Sequence, residues 1–528
     1  MNLFGTDGIR GEVDLRPCGT RQAIEALEDE RRLTPSLAWL AGQAIARTLD
    51  REGAEVVIGW DNRPGNPALV QAVLDAFRTA GWAVVPLGEC ATPLVHHMVL
   101  ERQATAGVMV TASHNPVEDS GLKVFDEAGR KSTPSLEVLL TRTMLDLAQE
   151  DHDLLHLSNE DAASLAPLVQ PHQVHAAWLD VRMRDLSAMF PETAGALLHE
   201  SNAPLLLDLS RGSAIEWFPA WLEANGLNVD EVSHAATALN RGCGAGELSP
   251  GRRWTWSEAS GEDHLLLRRV RPAPEGTLLA AALDGDGDRC LLLVAEADGP
   301  AVVDGDAMAL RLLEAAATDR TWTVAASIES DLALSSRAAA MPHVCEVMET
   351  AVGDRWLSVA LALASTLPLP AVVGVEDSGH LVLPSRDREG WSLVGDGAAS
   401  LVAVLLAGLG RKGAVRQAGG WKRRTSIAPS DRSRWTGGGP LAEAVLTAVQ
   451  ATLPEAMDVR SGGLEAEPNL LLVQGRLGEA RFSLGVRNSG TQAKTSLSAR
   501  TDDPALAPRL EALLDAVDAT LRPALTPS

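Results

Sequence analysis

Short apolar strands alternating with helical stretches of about 10–15 residues constrain the fold of this chain more than any other feature. Residues 37–49 are Ala/Leu-rich and helical, 54–59 (AEVVIG) form a β-branched strand, and 67–79 are helical again. Extended runs follow at 82–86 (WAVVP) and 106–110 (AGVMV). The pattern implies right-handed βαβ units around a mostly parallel sheet. It returns twice, first at 204–208, 278–283 and 291–295, then at 306–316, 321–327 and 371–374.

At roughly 150 residues per domain, 528 residues make three or four domains. Boundaries fall near 160–175, 298 and 411–440. The expected fold class is α/β: three similar α/β domains (1–165, 166–298 and 299–412) with mixed, mostly parallel sheets, plus a smaller C-terminal α+β domain (413–528), around a central cleft. The last boundary is a basic run, with Arg411, Lys412, Arg416, Lys422, Arg423, Arg424, Arg432 and Arg434 ahead of Gly437-Gly438-Gly439-Pro440. Such a run reads as a solvated connection between domains. Residues 246–276, with Arg252, Arg253, Trp254 and Trp256, lack periodicity and read as an insertion or long surface loop.

Charge and cysteine usage exclude several classes. With 46 Lys+Arg against 70 Asp+Glu the net charge is −24, which opposes binding to nucleic acid or an anionic membrane. A phosphate-bearing ligand therefore needs a local basic pocket. Cys18, Cys90, Cys243, Cys290 and Cys345 are odd in number and contain no C-x-x-C pair, which fits a reducing compartment. Asp7 and Arg10 stand where the apolar run of a signal peptide would lie, and Pro368 and Pro370 break the most apolar stretch. A cytoplasmic protein is expected. The presence of 13 Trp with no Tyr has no physical account.

Four clusters could carry chemistry. Thr111-Ala112-Ser113-His114-Asn115-Pro116 follows the strand ending at Val110, where ligands of open parallel sheets bind. Alone it reads slightly sooner as a polar turn than as a nucleophile, and it lacks the glycines of a serine-hydrolase elbow. Lys123 lies just downstream, suited to proton relay or phosphate steering. Asp284-Gly285-Asp286-Gly287-Asp288-Arg289 sits between two apolar strand-like runs. Three carboxylates at alternate positions repel one another, and glycines between them let the oxygens converge on a hard divalent cation, Mg²⁺ or Ca²⁺. An EF-hand is excluded in register, since Arg289 stands where it needs Gly and Ala295 where it needs Glu. Glu376-Asp377-Ser378-Gly379-His380 suits recognition of sugar hydroxyls, although by itself it is an ordinary acidic loop. Arg487-Asn488-Ser489-Gly490-Thr491 offers an arginine fork and an anion nest without being a nucleotide P-loop.

Taken in order, the clusters resemble those of the α-D-phosphohexomutase superfamily across essentially the whole chain. Phe4-Gly5-Thr6-Asp7-Gly8-Ile9-Arg10-Gly11 is similar to its N-terminal signature. The resemblance implies Ser113 as phosphoryl carrier, with Asp284, Asp286, Asp288 and the phosphoserine as Mg²⁺ ligands. It further implies Arg289 on the phosphoryl group, Lys123 in proton transfer, and Arg10 and His114 in the cleft. Glu376, Ser378 and His380 would contact the sugar, and Arg487, Ser489, Gly490 and Thr491 the substrate's other phosphate. The implied reaction interconverts hexose 6-phosphate and hexose 1-phosphate through a 1,6-bisphosphate, which also serves as activator. The implied partner is a small-molecule hexose phosphate, and the protein a monomer or homodimer.

Ser120, Val375, Gln492 and Ala493 depart from the superfamily's usual residues, but none removes a phosphoryl-chemistry group. Val352-Gly353-Asp354-Arg355-Trp356 and Asn240-x-x-Cys243-Gly244 are similar to segments of phosphoglucosamine mutases. Phosphomannomutase/phosphoglucomutase is the alternative, and a metal-dependent sugar-phosphate phosphatase the more distant one.

Overall fold

The computed structural model describes residues 3–5, 7–150, 152, 154, 166–366, 369–411, 419–489 and 493–527. Thr6, Gly490, Thr491 and Gln492 lie outside the described residues, as do 155–165 and 412–418, where two of the expected boundaries fall.

Four sheets carry the fold. The first contains β1 (Ile9–Val13), β2 (Arg32–Leu33), β3 (Glu55–Trp60), β4 (Ala83–Glu89), β5 (Ala106–Val110) and β6 (Asp119–Phe125), in spatial order β2-β1-β6-β5-β3-β4. The second has β7 (Leu205–Asp208), β8 (Val229–Glu231), β9 (Leu278–Leu283), β10 (Cys290–Ala295) and β11 (Pro300–Val303), ordered β11-β10-β9-β7-β8. The third has β12 (Trp322–Ser327), β13 (Val344–Thr350), β14 (Val372–Val375), β15 (Leu381–Arg386) and β16 (Trp391–Gly395), ordered β13-β12-β14-β15-β16. The fourth has β17 (Trp421–Ile427), β18 (Met457–Leu464), β19 (Glu467–Leu477), β20 (Ala480–Asn488) and β21 (Thr495–Thr501), antiparallel throughout.

One arrangement recurs in the first three sheets. Strands β5, β9 and β14 each pair in parallel on one side, with β3, β7 and β12, and antiparallel on the other, with β6, β10 and β15. Each sheet thus joins a parallel half to a hairpin, and the chemistry-bearing clusters are the connections of those hairpins. Pairs Val110↔Leu122, Leu283↔Cys290 and Val375↔Leu381 close them, and Asn488↔Thr495 closes the equivalent turn in the fourth sheet.

The second and third sheets share one apolar core, running from Leu283 and Leu292 to Val324 and Val375 through the wholly buried helix Gly397–Leu406. At about 1.5–3 kcal/mol for each large apolar side chain buried, this shared core fixes the two hairpins relative to each other. Arg355 ties the third sheet to the first, donating to Ser132 O at 2.5 Å and to Glu137 at 2.6 Å.

Two expectations are corrected. Residues 246–276 are not a surface loop: helices Trp256–Gly261 and Leu265–Arg269 cover the second sheet, and Trp254, Leu266 and Leu267 join a buried cluster with Ala280, Leu291 and Val302. Helices this short complete too few turns to display periodicity. Nor is the basic run a solvated connection throughout, since Lys422, Arg423 and Arg424 lie on β17, ahead of an exposed turn that carries Arg432 and Arg434. On β17 Lys422 binds Asp306 at 2.6 Å and Asp377 at 2.9 Å, and Arg424 binds Glu329 at 2.7 Å. Cations that read as solubilising along the chain find their anions around the third sheet, at the start of the helix Gly305–Glu314 and on two loops. Among the described residues no helix is long and apolar enough to cross a membrane.

Candidate active site

Ser113 sits in the connection after β5 with φ +54, a left-handed conformation that a non-glycine residue adopts only when its surroundings enforce it. They do. Its N–H donates to Thr111 Oγ1 at 2.8 Å, and Thr111 in turn donates to Asp61 at 2.7 Å. Its carbonyl accepts from Arg63 Nη2 and from Asn240 Nδ2, both at 2.7 Å. Arg63 and Asp61 form a fully buried ion pair at 2.9 Å. The remaining guanidinium donors of Arg63 reach the carbonyls of Pro116 at 2.5 Å and Asp119 at 2.8 Å. The serine is clamped, and its hydroxyl is left to point across the molecule, where it donates to Asp284 Oδ2 at 2.7 Å.

The acidic hairpin tip meets it there. Ligand oxygens of Asp284, Asp286 and Asp288 all lie within 4.8 Å of one another, and all three residues are buried. Two glycines make this possible. Gly287 has φ +70, and a Cβ on Gly285 would lie 3.0 Å from the carbonyl of Ser113. Asp284 Oδ1 accepts the backbone N–H groups of Asp288 and Arg289 at 3.1 and 3.2 Å. Burial and the neighbouring Asp288 and Asp286 push the Asp284 carboxyl up to about 7. Asp286 uses Oδ2 for Thr92 at 2.5 Å and Lys123 at 2.7 Å, whereas its Oδ1 is buried without a partner. Three converging carboxylates, one with an orphaned oxygen and one driven toward protonation, fit a hard divalent cation.

Lys123 balances part of this charge, reaching Asp288 at 2.8 Å and Asp7 at 3.2 Å besides Asp286. Burial opposes its charge, but Asp286, Asp288 and Asp7 outweigh burial and hold it as an ammonium. Lys131 does the same for Asp354 at 2.9 Å and Asp7 at 3.3 Å, and is held at about 12 against burial, chiefly by Asp354 and Asp7. His380 comes from the third hairpin to Asp288 Oδ1 at 2.9 Å, with Glu376 on its other nitrogen at 2.9 Å. Against burial, Asp288 raises it to about 10. Arg289 Nε lies 3.6 Å from Asp284 Oδ2. His114 is kept neutral, at about 2, by the Arg289 guanidinium and by burial.

A cavity of about 860 Å³ opens beside this centre, lined by Arg10, His114 and Asn115 from the first sheet's loops and by Arg424, Arg487, Ser489 and Lys494 from the fourth. Arg10 reaches Asn115 Oδ1 at 3.3 Å and Asp7 at 3.1 Å. Arg487 faces Glu329 at 3.0 Å. Glu376 accepts the N–H of Gly353 at 2.7 Å, and Ser378 is half-buried in the turn beside it. Of the residues singled out in the sequence, Ser113, His114, Lys123, the three aspartates, Arg289, Glu376 and His380 converge on one centre. Arg10, Arg487 and Ser489 line the cavity.

Sequence reasoning missed Asp61, Arg63, Lys131 and Glu329. Asp61 and Arg63 were within reach, because they follow β3 at the carboxyl end of a parallel strand. Lys131 and Glu329 carry no local signal.

A serine hydroxyl held against an acid triplet that fits a divalent cation, beside a basic cavity, is the arrangement of an enzyme that transfers phosphoryl groups. Residues 1–150 match the family model described as phosphoglucomutase/phosphomannomutase, alpha/beta/alpha domain I, and residues 304–416 match that of alpha/beta/alpha domain III. A phosphoglucosamine mutase of Mycolicibacterium vanbaalenii is 30% identical over 407 residues, covering 74% of this chain and 76% of that protein. A phosphoglucomutase/phosphomannomutase family protein of Burkholderia thailandensis shares the fold at 16% identity, with a TM-score of 0.62 over 99% of this chain and 98% of that one. An N-acetylphosphoglucosamine mutase of Aspergillus fumigatus, solved in complex with GlcNAc-6P and magnesium, shares it at 15% identity, with a TM-score of 0.52 over 82% of this chain and 93% of that one. The chain belongs to the α-D-phosphohexomutase superfamily.

Proposed function

We propose that this enzyme interconverts glucosamine 6-phosphate and glucosamine 1-phosphate, with Ser113 carrying the phosphoryl group. The carrying observation is the 2.7 Å contact between Ser113 Oγ and Asp284, within an acid triplet whose oxygens lie within 4.8 Å of one another. The amino-sugar substrate is supported by the relatives named phosphoglucosamine mutase. Asp284, Asp286, Asp288 and the phosphoserine would hold Mg²⁺, which when bound supplies positive charge to the oxygens around the transferring phosphorus.

The chain's own groups do the rest. The P–Oγ bond of phosphoserine breaks as a bond forms from phosphorus to O1 or O6 of the sugar, and the hydroxyl proton of the sugar ends on Ser113 Oγ. Lys123, held as an ammonium, gives a proton to the departing serine oxygen and takes the sugar hydroxyl's proton in its place, so that the net movement is from the sugar to Ser113. Arg289 neutralises charge on the moving group. Glu376 and Ser378 bind sugar hydroxyls, while His380 orients Glu376 against Asp288. Arg487, Ser489, Gly490 and Thr491 anchor the phosphate that does not react, so that the 1,6-bisphosphate can be held in either orientation. Arg10 and His114 line the path between the two phosphates. The units assigned to this chemistry are 1–165, 166–298, 299–412 and 413–528. The five free cysteines suit a cytoplasmic setting.

The test is a coupled assay with Mg²⁺ and catalytic glucosamine 1,6-bisphosphate, comparing glucosamine, mannose and glucose 6-phosphates. Isomerisation fastest with the amino sugar, lost in Ser113→Ala, is expected, with one phosphate on Ser113 by intact-protein mass spectrometry. Faster turnover of mannose or glucose phosphate would reassign the substrate. Absence of phosphoserine after bisphosphate treatment would remove Ser113 as carrier.

A further inference from the structure

Ser113 is held at both of its ends by one rigid frame that belongs to the second sheet. Its hydroxyl binds Asp284, the first residue after β9. Its carbonyl accepts from Asn240, which lies 127 residues away in the loop that follows β8. The same amide nitrogen donates to the carbonyl of Asn115 at 3.0 Å, so it spans both sides of His114. Asn240 is tied back to the acid loop: its N–H donates to Ser210 O at 3.1 Å, and Ser210 Oγ donates to the carbonyl of Leu283 at 2.7 Å. A closed circuit runs from Ser113 Oγ through Asp284, Leu283, Ser210 and Asn240 to the Ser113 carbonyl.

We infer that Asn240 is a positioning residue for phosphoryl transfer, fixing the Ser113 backbone relative to the acid loop that faces its hydroxyl. The inference rests on Ser113 being the phosphoryl carrier. Both neighbours of the amide are carbonyls, so only the nitrogen can face them and its orientation is fixed by chemistry. Arg63 supports the same carbonyl, but from within the first sheet's own unit. Asn240 therefore couples the serine's backbone to the other half of the centre, as Asp284 does its hydroxyl. Its backbone, at φ +56, suits Asn, Asp or Gly. Its Oδ1 is buried and unpartnered, so the residue is kept at the cost of an unsatisfied acceptor, which packing alone does not explain.

Asn240→Gly and Asn240→Asp separate positioning from packing. Asp keeps the volume but sets a carboxylate oxygen against two carbonyls, whereas Gly only deletes the donor. Positioning predicts kcat down about tenfold in the Gly variant and further, toward about a hundredfold, in the Asp variant. KM for glucosamine 6-phosphate should stay within about threefold of the parent, and phosphorylation of Ser113 by the bisphosphate, followed by mass spectrometry, should slow in step with kcat. A packing role predicts the reverse order, with Gly the worse. Turnover within twofold of the parent in Asn240→Gly, or a rise in KM with kcat unchanged, overturns the inference even if the Asp variant fails to fold. A parent protein that never acquires phosphate on Ser113 would instead defeat the carrier assignment beneath it.

Discussion

Arg487 and Glu329 hold each other at 3.0 Å across the cavity, and the other oxygen of Glu329 takes Arg424 at 2.7 Å. The carboxylate therefore occupies the two arginine forks that an anionic ligand entering this cavity would use. Glu467 stands 3.8 Å from the far side of Arg487. A ligand phosphate must displace Glu329 before it can bind the fork bidentately.

Glu329→Gln should accordingly tighten ligand binding. With the competing charge removed and the side chain's shape kept, the dissociation constant for glucosamine 6-phosphate is expected to fall about three- to tenfold in isothermal titration calorimetry. Weaker binding in the variant would mean that Glu329 orients the arginines for the ligand and does not compete with it.

Lys422 is expected to dominate the docking of the fourth sheet. It is 18% exposed and lies within 3.2 Å of Asp304, Asp306 and Asp377. Burial drives the Asp304 carboxyl up to about 6, whereas Lys422 and Arg424 overcome burial and keep Asp377 at about 2. Lys422→Met leaves these acids facing one another and should cost about 3–5 kcal/mol, as breaking a buried ion pair does. The check is chemical denaturation, where the variant should lose the fourth sheet in an early transition absent from the parent. A single unshifted transition would show that the apolar core of that sheet, not the ion cluster, sets its docking.

Much of this arrangement was legible in the chain because the chemistry is contiguous. Asp284, Asp286 and Asp288 alternate with glycines between apolar strands, and that pattern has few uses. Ser113 was readable only in company, since its loop alone is also an ordinary turn. What stayed hidden is what depends on distance in sequence. Lys131 meets Asp354 across 223 residues, and Arg424 meets Glu329 across 95. A solitary lysine or glutamate carries no mark of its partner. The same blindness turned β17 into a linker, because along the chain its cations have no anions beside them. Residues 246–276 failed for a different reason, as helices of five and six residues are shorter than the window of about 11–18 residues over which helical periodicity is recognised.

Asp286→Asn tests the acid triplet directly. Its Oδ2 is engaged by Thr92 and Lys123, and Oδ1 is the oxygen without a partner. An asparagine in either orientation removes one negative charge from the three that converge. Binding of Mn²⁺, measured by calorimetry in the absence of sugar phosphate, should weaken at least about tenfold. The far-ultraviolet circular dichroism should be unchanged. Undiminished Mn²⁺ binding would place the cation elsewhere, the only other acid and histidine group of that compactness among the described residues being Asp288, Asp354 and His380.

His96 sets an acid limit on stability away from the centre. It is buried between the first and third sheets, with Nδ1 donating to Gly129 O at 2.6 Å and Nε2 3.0 Å from Ser392 Oγ. Burial lowers it to about 4; the Gly129 carbonyl works against that, and Arg182 on one side and Asp387 and Asp126 on the other contribute less. The unfolded chain, with an ordinary histidine near 6.5, binds the proton more readily than the folded one. Stability contributed by the neutral ring is therefore present above about 6.5 and is lost as the pH falls toward 4, by up to about 3 kcal/mol. His96→Gln retains a donor for Gly129 and cannot titrate. Between pH 6.5 and 4.5 the parent's melting temperature should fall about 4–8 °C further than the variant's, whatever their offset at neutral pH. Parallel slopes would mean that the ring protonates without opening the interface, and that the acid sensitivity of the fold lies in its carboxylates.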